Sequence, residues 1–261
     1  MAAEVVDPYL DPETGILRNL VGARTQQELD ALETDLSNAR GHELLDSPPR
    51  PTGDLDEFRA IHLQLFQDVY DWAGELRTVD IRKNSEGSQF FLPVVMIERA
   101  AGYAADELRS DDMLRGMERE RFVERLSFHY DQWNYIHPFR EGNGRTQRLF
   151  WSRIAEDAGW RLDWTRTTAE QNVAASRAAS ERLDLQPLRE MFGRVVVDPT
   201  REPSPPQLDG RAVPRLDGLD AHRIALDGIR PPSPSPRPPS IDPQASTSYR
   251  PGHTPGHDLG R

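Results

Sequence analysis

The sequence predicts an all-α protein, a helical bundle interrupted by one small β-hairpin and followed by a disordered Pro-rich tail. Apolar residues recur at helical spacing through most of residues 25–195, which indicates amphipathic helices around one core. One stretch, residues 78–93, alternates in the manner of paired strands and is the only strand signal. From residue 199 on, the chain holds 14 of its 22 prolines and a single aromatic residue. Such a segment buries too little apolar surface to offset the entropy lost on ordering.

These patterns divide the chain into three parts. Residues 1–53 form an N-terminal extension with one helix, residues 54–197 form the core domain, and residues 198–261 form the tail. The whole net charge of −11 lies in the first two parts, because residues 198–261 hold eight arginines and eight acidic residues. An acidic folded part argues against general nucleic-acid binding, which depends on Lys and Arg contacts to phosphate.

Composition excludes several further classes. The chain has no cysteine, so disulfides, thiolate metal sites and cysteine nucleophiles are ruled out. No apolar run reaches the roughly 18 residues of a membrane span. The first residues lack the basic and apolar regions of a secretory signal, so we expect a cytoplasmic protein that does not bind membranes.

The helix of the N-terminal extension begins at a capping box. Thr25 and Glu28 have the required spacing, and the predicted helix runs from about Gln26 to Ala39. The predicted buried face consists of Leu29, Leu32 and Leu36. Gly41 and three prolines then predict a loop over residues 41–53.

The core domain is predicted to begin at Asp54, which caps a helix whose apolar period continues to Tyr70. Thr78 to Arg82 and Gln89 to Pro93 are the two predicted strands of the hairpin. Further helices are predicted at about 94–110, 117–135, 143–157, 167–181 and 185–194.

The Gly-Asn-Gly loop, residues 137–148, reads His-Pro-Phe-Arg-Glu-Gly-Asn-Gly-Arg-Thr-Gln-Arg. Gly142 and Gly144 permit positive φ and close approach of a ligand to the backbone. Consecutive amides in such a turn bind anions, and the positive end of the helix that begins here adds to the attraction. The same pattern occurs in ordinary Gly-rich turns, so the glycines alone do not decide.

Charged residues beside the glycines favour a phosphate site. Arg145 and Arg148 lie three apart on the first helical turn, where cations are unfavourable unless an anion compensates them. Glu141 would repel phosphate unless a cation lies between them, and Mg²⁺ binds one or two carboxylates together with phosphate oxygens. His137 is a candidate base, because imidazole accepts a proton near neutral pH. Each residue also has a structural reading, as a solvated arginine, a helix-terminal charge or a core histidine.

Residues 137–148 match in full the signature His-Pro-Phe-x-(Asp/Glu)-Gly-Asn-Gly-Arg-x-x-Arg, so the chain resembles Fic-domain proteins. Residues 11–19 and 61–79 are also similar to bacterial members of that family. The resemblance covers about residues 8–195. It implies the Fic fold, a helical bundle with a β-hairpin, called the flap, at residues 78–93.

The resemblance implies transfer of AMP from ATP to a Tyr, Ser or Thr hydroxyl of a target protein, with release of pyrophosphate. His137 would be the catalytic base, and Glu141 would bind Mg²⁺. The residues implied to hold the phosphates are Gly142, Asn143, Gly144, Arg145 and Arg148. A later helix carrying Gln171, Asn172 and Glu181 would flank the adenine and ribose.

The flap would cover the active site and bind the target protein along its edge by strand addition. The flap residues implied to contact the nucleotide are Lys83, Phe90, Phe91, Leu92 and Pro93. Core packing is the alternative reading for Phe90 and Phe91.

Many Fic proteins are restrained by a glutamate in the pattern (Ser/Thr)-x-x-x-Glu-(Gly/Asn), which pairs with the second signature arginine. The chain lacks that pattern, since Glu86-Gly87 has Arg82 where Ser or Thr is required. It therefore resembles toxin-type members, which are held by a separate small antitoxin. An antitoxin glutamate would meet Arg148, and by analogy the target would be a type II topoisomerase subunit.

Other activities remain open from the sequence. The chain could transfer UMP, phosphate or phosphocholine, and the intact Gly-Asn-Gly with both arginines disfavours phosphate. It could be a catalytically silent nucleotide-binding scaffold, which the intact His137 and Glu141 disfavour. A metal hydrolase would need His62, His129 and His137, and no two of these histidines show metal-motif spacing.

Overall fold

A computed structural model of the chain describes residues 7–82 and 91–200, with the backbone of residues 207–208 and 211–212. Within these residues the α-helices are α1 Gln26–Asp46, α2 Leu55–Phe66, α3 Ile97–Ser110, α4 Arg119–Ile136, α5 Asn143–Asp157, α6 Ala169–Arg182 and α7 Gln186–Val195. Two-residue strands pair antiparallel, β1 Arg161–Leu162 with β2 Val196–Val197 and β3 Gln207–Leu208 with β4 Arg211–Ala212. The predicted all-α class is confirmed. None of the described helices is long and apolar enough to cross a membrane.

Aromatic side chains from α2, α4 and α5 meet the Gly-Asn-Gly loop at the centre of the bundle. Phe58 stacks on Trp133 with ring centroids 4.7 Å apart and on Phe139 with centroids 5.7 Å apart. All three rings and that of Phe150 are fully buried. Burying one such ring contributes roughly 1.5–3 kcal/mol, so Phe139 anchors the loop in the core, as predicted.

Helix α1 is longer than predicted, because it continues through Gly41 to Asp46. Gly41 and Leu44 are buried, and Arg40 forms a two-pronged ion pair with Asp68 at 2.6 and 2.9 Å. These tertiary contacts outweigh the roughly 1 kcal/mol by which Gly disfavours a helix. The prediction of a loop at residues 41–46 is therefore wrong, and the helix ends just before the prolines.

The buried face of α1 also differs from the prediction. Leu32 is 39% exposed, whereas Leu29 is fully buried as predicted. The buried face consists of Leu29, Glu33, Ser37, Gly41 and Leu44. Two polar side chains thus occupy positions that a purely apolar stripe would assign elsewhere.

Helix α2 begins at the predicted cap, where the Asp54 carboxylate accepts hydrogen bonds from two first-turn amides. It ends at Phe66, four residues before the predicted end at Tyr70. The amides of Val69 and Tyr70 both donate to the carbonyl of Phe66, so the chain turns there. The apolar period misled the prediction because Val69 and Tyr70 remain buried after the helix has ended.

Part of the flap and most of the tail fall outside the described residues. The amide of Phe91 donates to the carbonyl of Ile81 at 3.2 Å, so the two ends of the flap lie side by side. The helices predicted at 94–110, 117–135, 143–157, 167–181 and 185–194 are present within a few residues. The expectation that the flap held the only strand signal is wrong, since β1 and β2 pair outside it. Strands of two residues are too short to show an alternating pattern.

Candidate active site

His137 directly follows helix α4 and lies in the left-handed region, with φ 45° and ψ 64°. That conformation turns the chain out of the helix and is unusual for residues other than Gly. Its Nδ1 lies 3.3 Å from the carbonyl oxygen of Asn134. Because a carbonyl oxygen only accepts hydrogen bonds, neutral His137 carries its proton on Nδ1 and its lone pair on Nε2. This is the tautomer of a base that accepts a proton at Nε2.

Phe91 covers the ring of His137. The two rings are 10° from parallel, and their centroids are 3.6 Å apart. The amide of Leu92 donates to the carbonyl of Tyr135 at 3.1 Å, and Pro93 is exposed. Two of the predicted flap residues therefore lie against the end of α4, beside the candidate base. The predicted residues Phe90 and Lys83 lie outside the described residues.

Arg77 holds the base of the flap against His137, and sequence reasoning gave it no role. Its side chain is buried. Nε donates to the carbonyl of His137 at 2.8 Å, Nη1 to that of Val79 at 3.0 Å, and Nη2 to that of Leu92. The backbone amide of Arg77 donates to the carbonyl of Pro138 at 2.8 Å. Burial lowers the pKa of Arg77, but a guanidinium in a protein stays protonated.

Asn143 closes the Gly-Asn-Gly loop on itself. Its Oδ1 accepts the amide of Phe139 at 3.0 Å, and its Nδ2 donates to the carbonyl of Phe139 at 2.8 Å. The side chain is buried, so both of its polar groups shape the turn. The phosphate contact predicted for Asn143 stays a prediction.

Gly142 and Gly144 have different reasons to be glycine. Gly142 has φ 78°, and a Cβ there would lie 2.4 Å from the ring of Phe66. At Gly144, the first atom a Cβ would meet is 3.9 Å away, on Arg148, and the residue is exposed. Among the described residues, no side chain caps α5. Its first-turn amides are therefore open to a ligand on the Gly144 side.

His62 fixes the backbone at the start of this turn. Its Nδ1 accepts the amide of Gly74 at 2.8 Å, so Nε2 carries the proton and donates to the carbonyl of Glu141 at 3.0 Å. Its ring stacks on Phe139 with centroids 3.8 Å apart. Complete burial lowers the pKa of His62 to about 3, so the ring is neutral. Sequence reasoning considered His62 only as a remote metal ligand, because its partners lie far away in the sequence.

Glu141 points its carboxylate to the outside of the turn. The residue is exposed, yet the mass of protein around it raises the pKa of its carboxyl. This combination is expected for a group in an open recess. The amide of Gly142, donating to Oε1 at 2.9 Å, opposes the rise, as does Arg140. Asp30 of α1 adds to it through like charge.

Arg145 and Arg148 have different surroundings. The guanidinium of Arg145 is directed at α1, where Nη1 donates to Ser37 at 2.9 Å and Nη2 pairs with Glu33. Burial lowers the pKa of Arg145 to about 9, so the group remains charged at neutral pH. The Nε of Arg148 is buried and has no hydrogen-bond partner among the described residues. A buried donor without a partner suits an anionic ligand, as predicted for Arg148.

Of the residues predicted to flank the adenine, Asn172 lies closest to the loop machinery. Its side-chain amide is 3.0–3.1 Å from the hydroxyl of Tyr130, and the pKa of Arg148 responds to the charge of that tyrosine. Gln171 instead caps its own helix, and Glu181 pairs with Arg177.

The N-terminal extension also reaches the loop through Asp7. Its carboxylate accepts Nε and Nη2 of Arg140 at 3.0 and 2.9 Å. The contact with α1 through Glu33 and the contact through Asp7 were both missed, since nothing in the extension resembles a catalytic motif.

Comparison with known proteins agrees with this geometry. Residues 52–155 match the Fic/DOC family. Protein adenylyltransferase VbhT of Bartonella schoenbuchensis is 39% identical over 170 residues, which cover 65% of this chain and 35% of that protein. The chain thus spans about a third of the length of VbhT. A protein of Escherichia coli K12 named "Probable protein adenylyltransferase Fic" is 36% identical over 190 residues, 73% of this chain and 92% of that protein.

Solved structures show the same fold. The N-terminal Fic domain of a VirB-translocated effector from Bartonella quintana, with ADP bound, has a TM-score of 0.67 at 23% identity and covers 74% of this chain and 95% of that one. The type IV secretion system effector BepA has a TM-score of 0.63 at 28% identity and covers 72% of this chain and 68% of that one. With an intact signature on this fold and an alignment that spans nearly all of the E. coli protein, the chain belongs to the Fic/DOC family.

Proposed function

We propose that this chain is a protein adenylyltransferase, which transfers AMP from ATP to a Tyr, Ser or Thr hydroxyl of a target protein and releases pyrophosphate. The observation that carries the proposal is the position of His137. Its lone pair is on Nε2, and it stands at the entry to a turn whose helix lacks a side-chain cap. The names of the E. coli and Bartonella relatives support the same reaction.

The reaction is a single displacement at phosphorus. The target hydroxyl oxygen forms a bond to the α-phosphorus while Nε2 of His137 takes the hydroxyl proton. The bond between the α-phosphorus and the oxygen that bridges to the β-phosphate breaks, and its electron pair leaves with pyrophosphate. A positioned base of this kind contributes roughly 10²- to 10⁴-fold.

Binding of the triphosphate falls to the start of α5. The first-turn amides on the Gly144 side carry the positive end of the helix dipole, and Arg148 brings a buried donor without a protein partner. Preorganised donors of this kind stabilise the charge that develops in phosphoryl transfer.

Glu141 fits the Mg²⁺ that such a reaction uses. The described residues contain no group of three or more His, Asp or Glu that could hold a metal by protein ligands alone. A single recessed carboxylate suits Mg²⁺ shared with phosphate oxygens, which are its usual partners. Once bound, the ion would neutralise phosphate charge.

The target protein is proposed to lie along the flap, next to the His137 ring and its cover, Phe91. By analogy within the family, a tyrosine of a type II topoisomerase subunit is the proposed acceptor. A separate small antitoxin is the proposed restraint, and its glutamate would pair with Arg148.

The labelled phosphate decides between the candidate reactions. The purified chain is incubated with lysate and ATP labelled at the α-phosphate, at the γ-phosphate, or with UTP labelled at the α-phosphate. We expect protein labelling from α-labelled ATP only, lost in His137→Ala. Label from the γ-phosphate would indicate phosphate transfer, and stronger label from UTP would indicate UMP transfer. No label from any of them would favour a silent scaffold.

A further inference from the structure

Helix α1 presents a buried carboxylate to the Gly-Asn-Gly loop, although α1 lies outside residues 52–155, which match the family. Glu33 is 7% exposed. One of its oxygens accepts the hydroxyl of Tyr70, and the other pairs with Nη2 of Arg145. Ser37, one turn further along α1, accepts Nη1 of the same arginine at 2.9 Å. Two consecutive turns of α1 therefore grip one guanidinium.

Phe66 connects this grip to the phosphate-binding turn. The guanidinium carbon of Arg145 lies 4.7 Å above the centroid of the Phe66 ring. The edge of the same ring is the group that leaves no room for a Cβ at Gly142. Arg145 thus presses on one face of a buried ring whose edge sets the shape of the turn, so a shift of Arg145 would move the turn.

The chemistry of the pair indicates a dedicated position. A buried carboxylate is unfavourable unless it is paired and hydrogen-bonded, and Glu33 is both. Arginine at a helix N-terminus likewise needs an anion, and Glu33 supplies one from within the chain. Arg148, by contrast, keeps a buried donor without a partner among the described residues. The two arginines therefore divide their work between the fold and the ligand.

We propose that Glu33 is a positioning residue for nucleotide binding: together with Ser37 it holds Arg145 against Phe66, so that Arg145 sets the first turn of α5 and Arg148 meets the phosphates. This replaces the phosphate contact that the sequence predicts for Arg145, and it rests on the proposed function of the loop.

The test measures nucleotide affinity by calorimetry in the His137→Ala background, which prevents turnover. Glu33→Gln keeps an acceptor for Tyr70 but removes the charge that faces Arg145. We expect it to weaken ATP binding about tenfold, the size of a lost charge-assisted hydrogen bond, and AMP binding by less than about threefold. The matched control is Asp35→Asn, which removes one carboxylate from the exposed side of the same helix and should change neither affinity.

A second pair of variants tests the route through Arg145. Once Arg145→Met is present, adding Glu33→Gln should weaken ATP binding no further, because both changes break one contact. Additive losses would overturn the proposal. So would tighter ATP binding by Glu33→Gln, or affinities equal to those of Asp35→Asn in a folded protein. If Glu33→Gln does not fold, Ser37→Ala decides: an ATP affinity equal to that of the control overturns the proposal.

The two proposals fail in different ways. A wild-type chain that binds ATP but labels no protein contradicts AMP transfer, while the binding comparison still decides the role of Glu33. A wild-type chain that transfers AMP, with Glu33→Gln matching its control, contradicts only the positioning. A chain that binds no ATP overturns both.

Discussion

The Gly-Asn-Gly loop has a packed side and an open side, and a histidine marks each. On the packed side His62 is fully buried, neutral, and hydrogen-bonded through both ring nitrogens to backbone groups. On the open side His137 is half-buried, and its Nδ1 contact leaves the lone pair on Nε2. The same residue type therefore serves as a strut on one side and as a candidate base on the other.

The difference shows how a short loop can be both rigid and reactive. Backbone groups of the loop are held from the packed side, by His62 at the carbonyl of Glu141 and by Asn143 at Phe139. The groups assigned to chemistry, the carboxylate of Glu141 and the Nε of Arg148, face away from those contacts. Rigidity supplied by separate residues leaves reactive groups preorganised for a ligand.

The largest expected effect is on the open side. His137→Ala should lower the rate of AMP transfer by roughly 10²- to 10⁴-fold, because it removes the base. Its melting temperature should stay close to that of the wild type, since no packed contact of the core is lost. The measurement is transfer of α-labelled phosphate beside a thermal melt. Transfer within about threefold of wild type would contradict the role of His137.

A matched pair of glycine substitutions compares the two sides directly. Gly142→Ala places a Cβ against Phe66 at positive φ, so it should destabilise the fold by about 2–4 kcal/mol. Gly144→Ala meets open space in a helical turn and should change stability by about 1 kcal/mol or less, in the stabilising direction.

Denaturant unfolding measures the stabilities of both variants, and calorimetry measures their ATP affinities. We expect Gly144→Ala to weaken ATP binding in a stable protein, because its methyl group lies on the side where the phosphates are proposed to bind. Equal destabilisation by the two substitutions would remove the distinction between the sides.

The smallest expected effect is a pH dependence from the packed side. Burial lowers the folded-state pKa of His62 to about 3, while its unfolded value is about 6.5. The unfolded chain therefore takes up a proton first, so stability falls as pH drops below about 6.5, by about 1.4 kcal/mol per pH unit for this one group. Gln has no titrating group and can still donate to the carbonyl of Glu141.

His62→Gln should accordingly reduce the slope of unfolding free energy against pH by one proton between about pH 6 and 4. His129, whose pKa is also lowered by burial, contributes the same sign in both proteins and cancels in the difference. An unchanged slope would show that His62 is protonated in the folded state.

The sequence was sufficient for the open side of the site, because that chemistry is local. Twelve consecutive residues hold His137, Glu141, the glycines and Arg148, so their spacing could be read directly. Most helices were equally readable, since caps such as Asp54 and apolar stripes are local signals.

The packed side could not be predicted, because its contacts join residues far apart in the sequence. His62 and Glu141 are 79 positions apart, and Arg77 and His137 are 60 apart. Glu33 misled the prediction of the buried face of α1, because a charged residue is expected outside unless its partner is known. That partner, Arg145, could be identified only from the folded chain.

The long separation of these ion pairs has a consequence for synthesis. Ser37 and Arg145 are 108 positions apart, and Asp7 and Arg140 are 133 apart. At roughly 5–20 residues per second, a ribosome needs roughly 5–20 s to make the stretch between the first two. During that interval the nascent chain carries the acidic halves of both pairs without their arginines. The site therefore matures only after the ribosome has passed α5, and unfinished chains that stop earlier are inert.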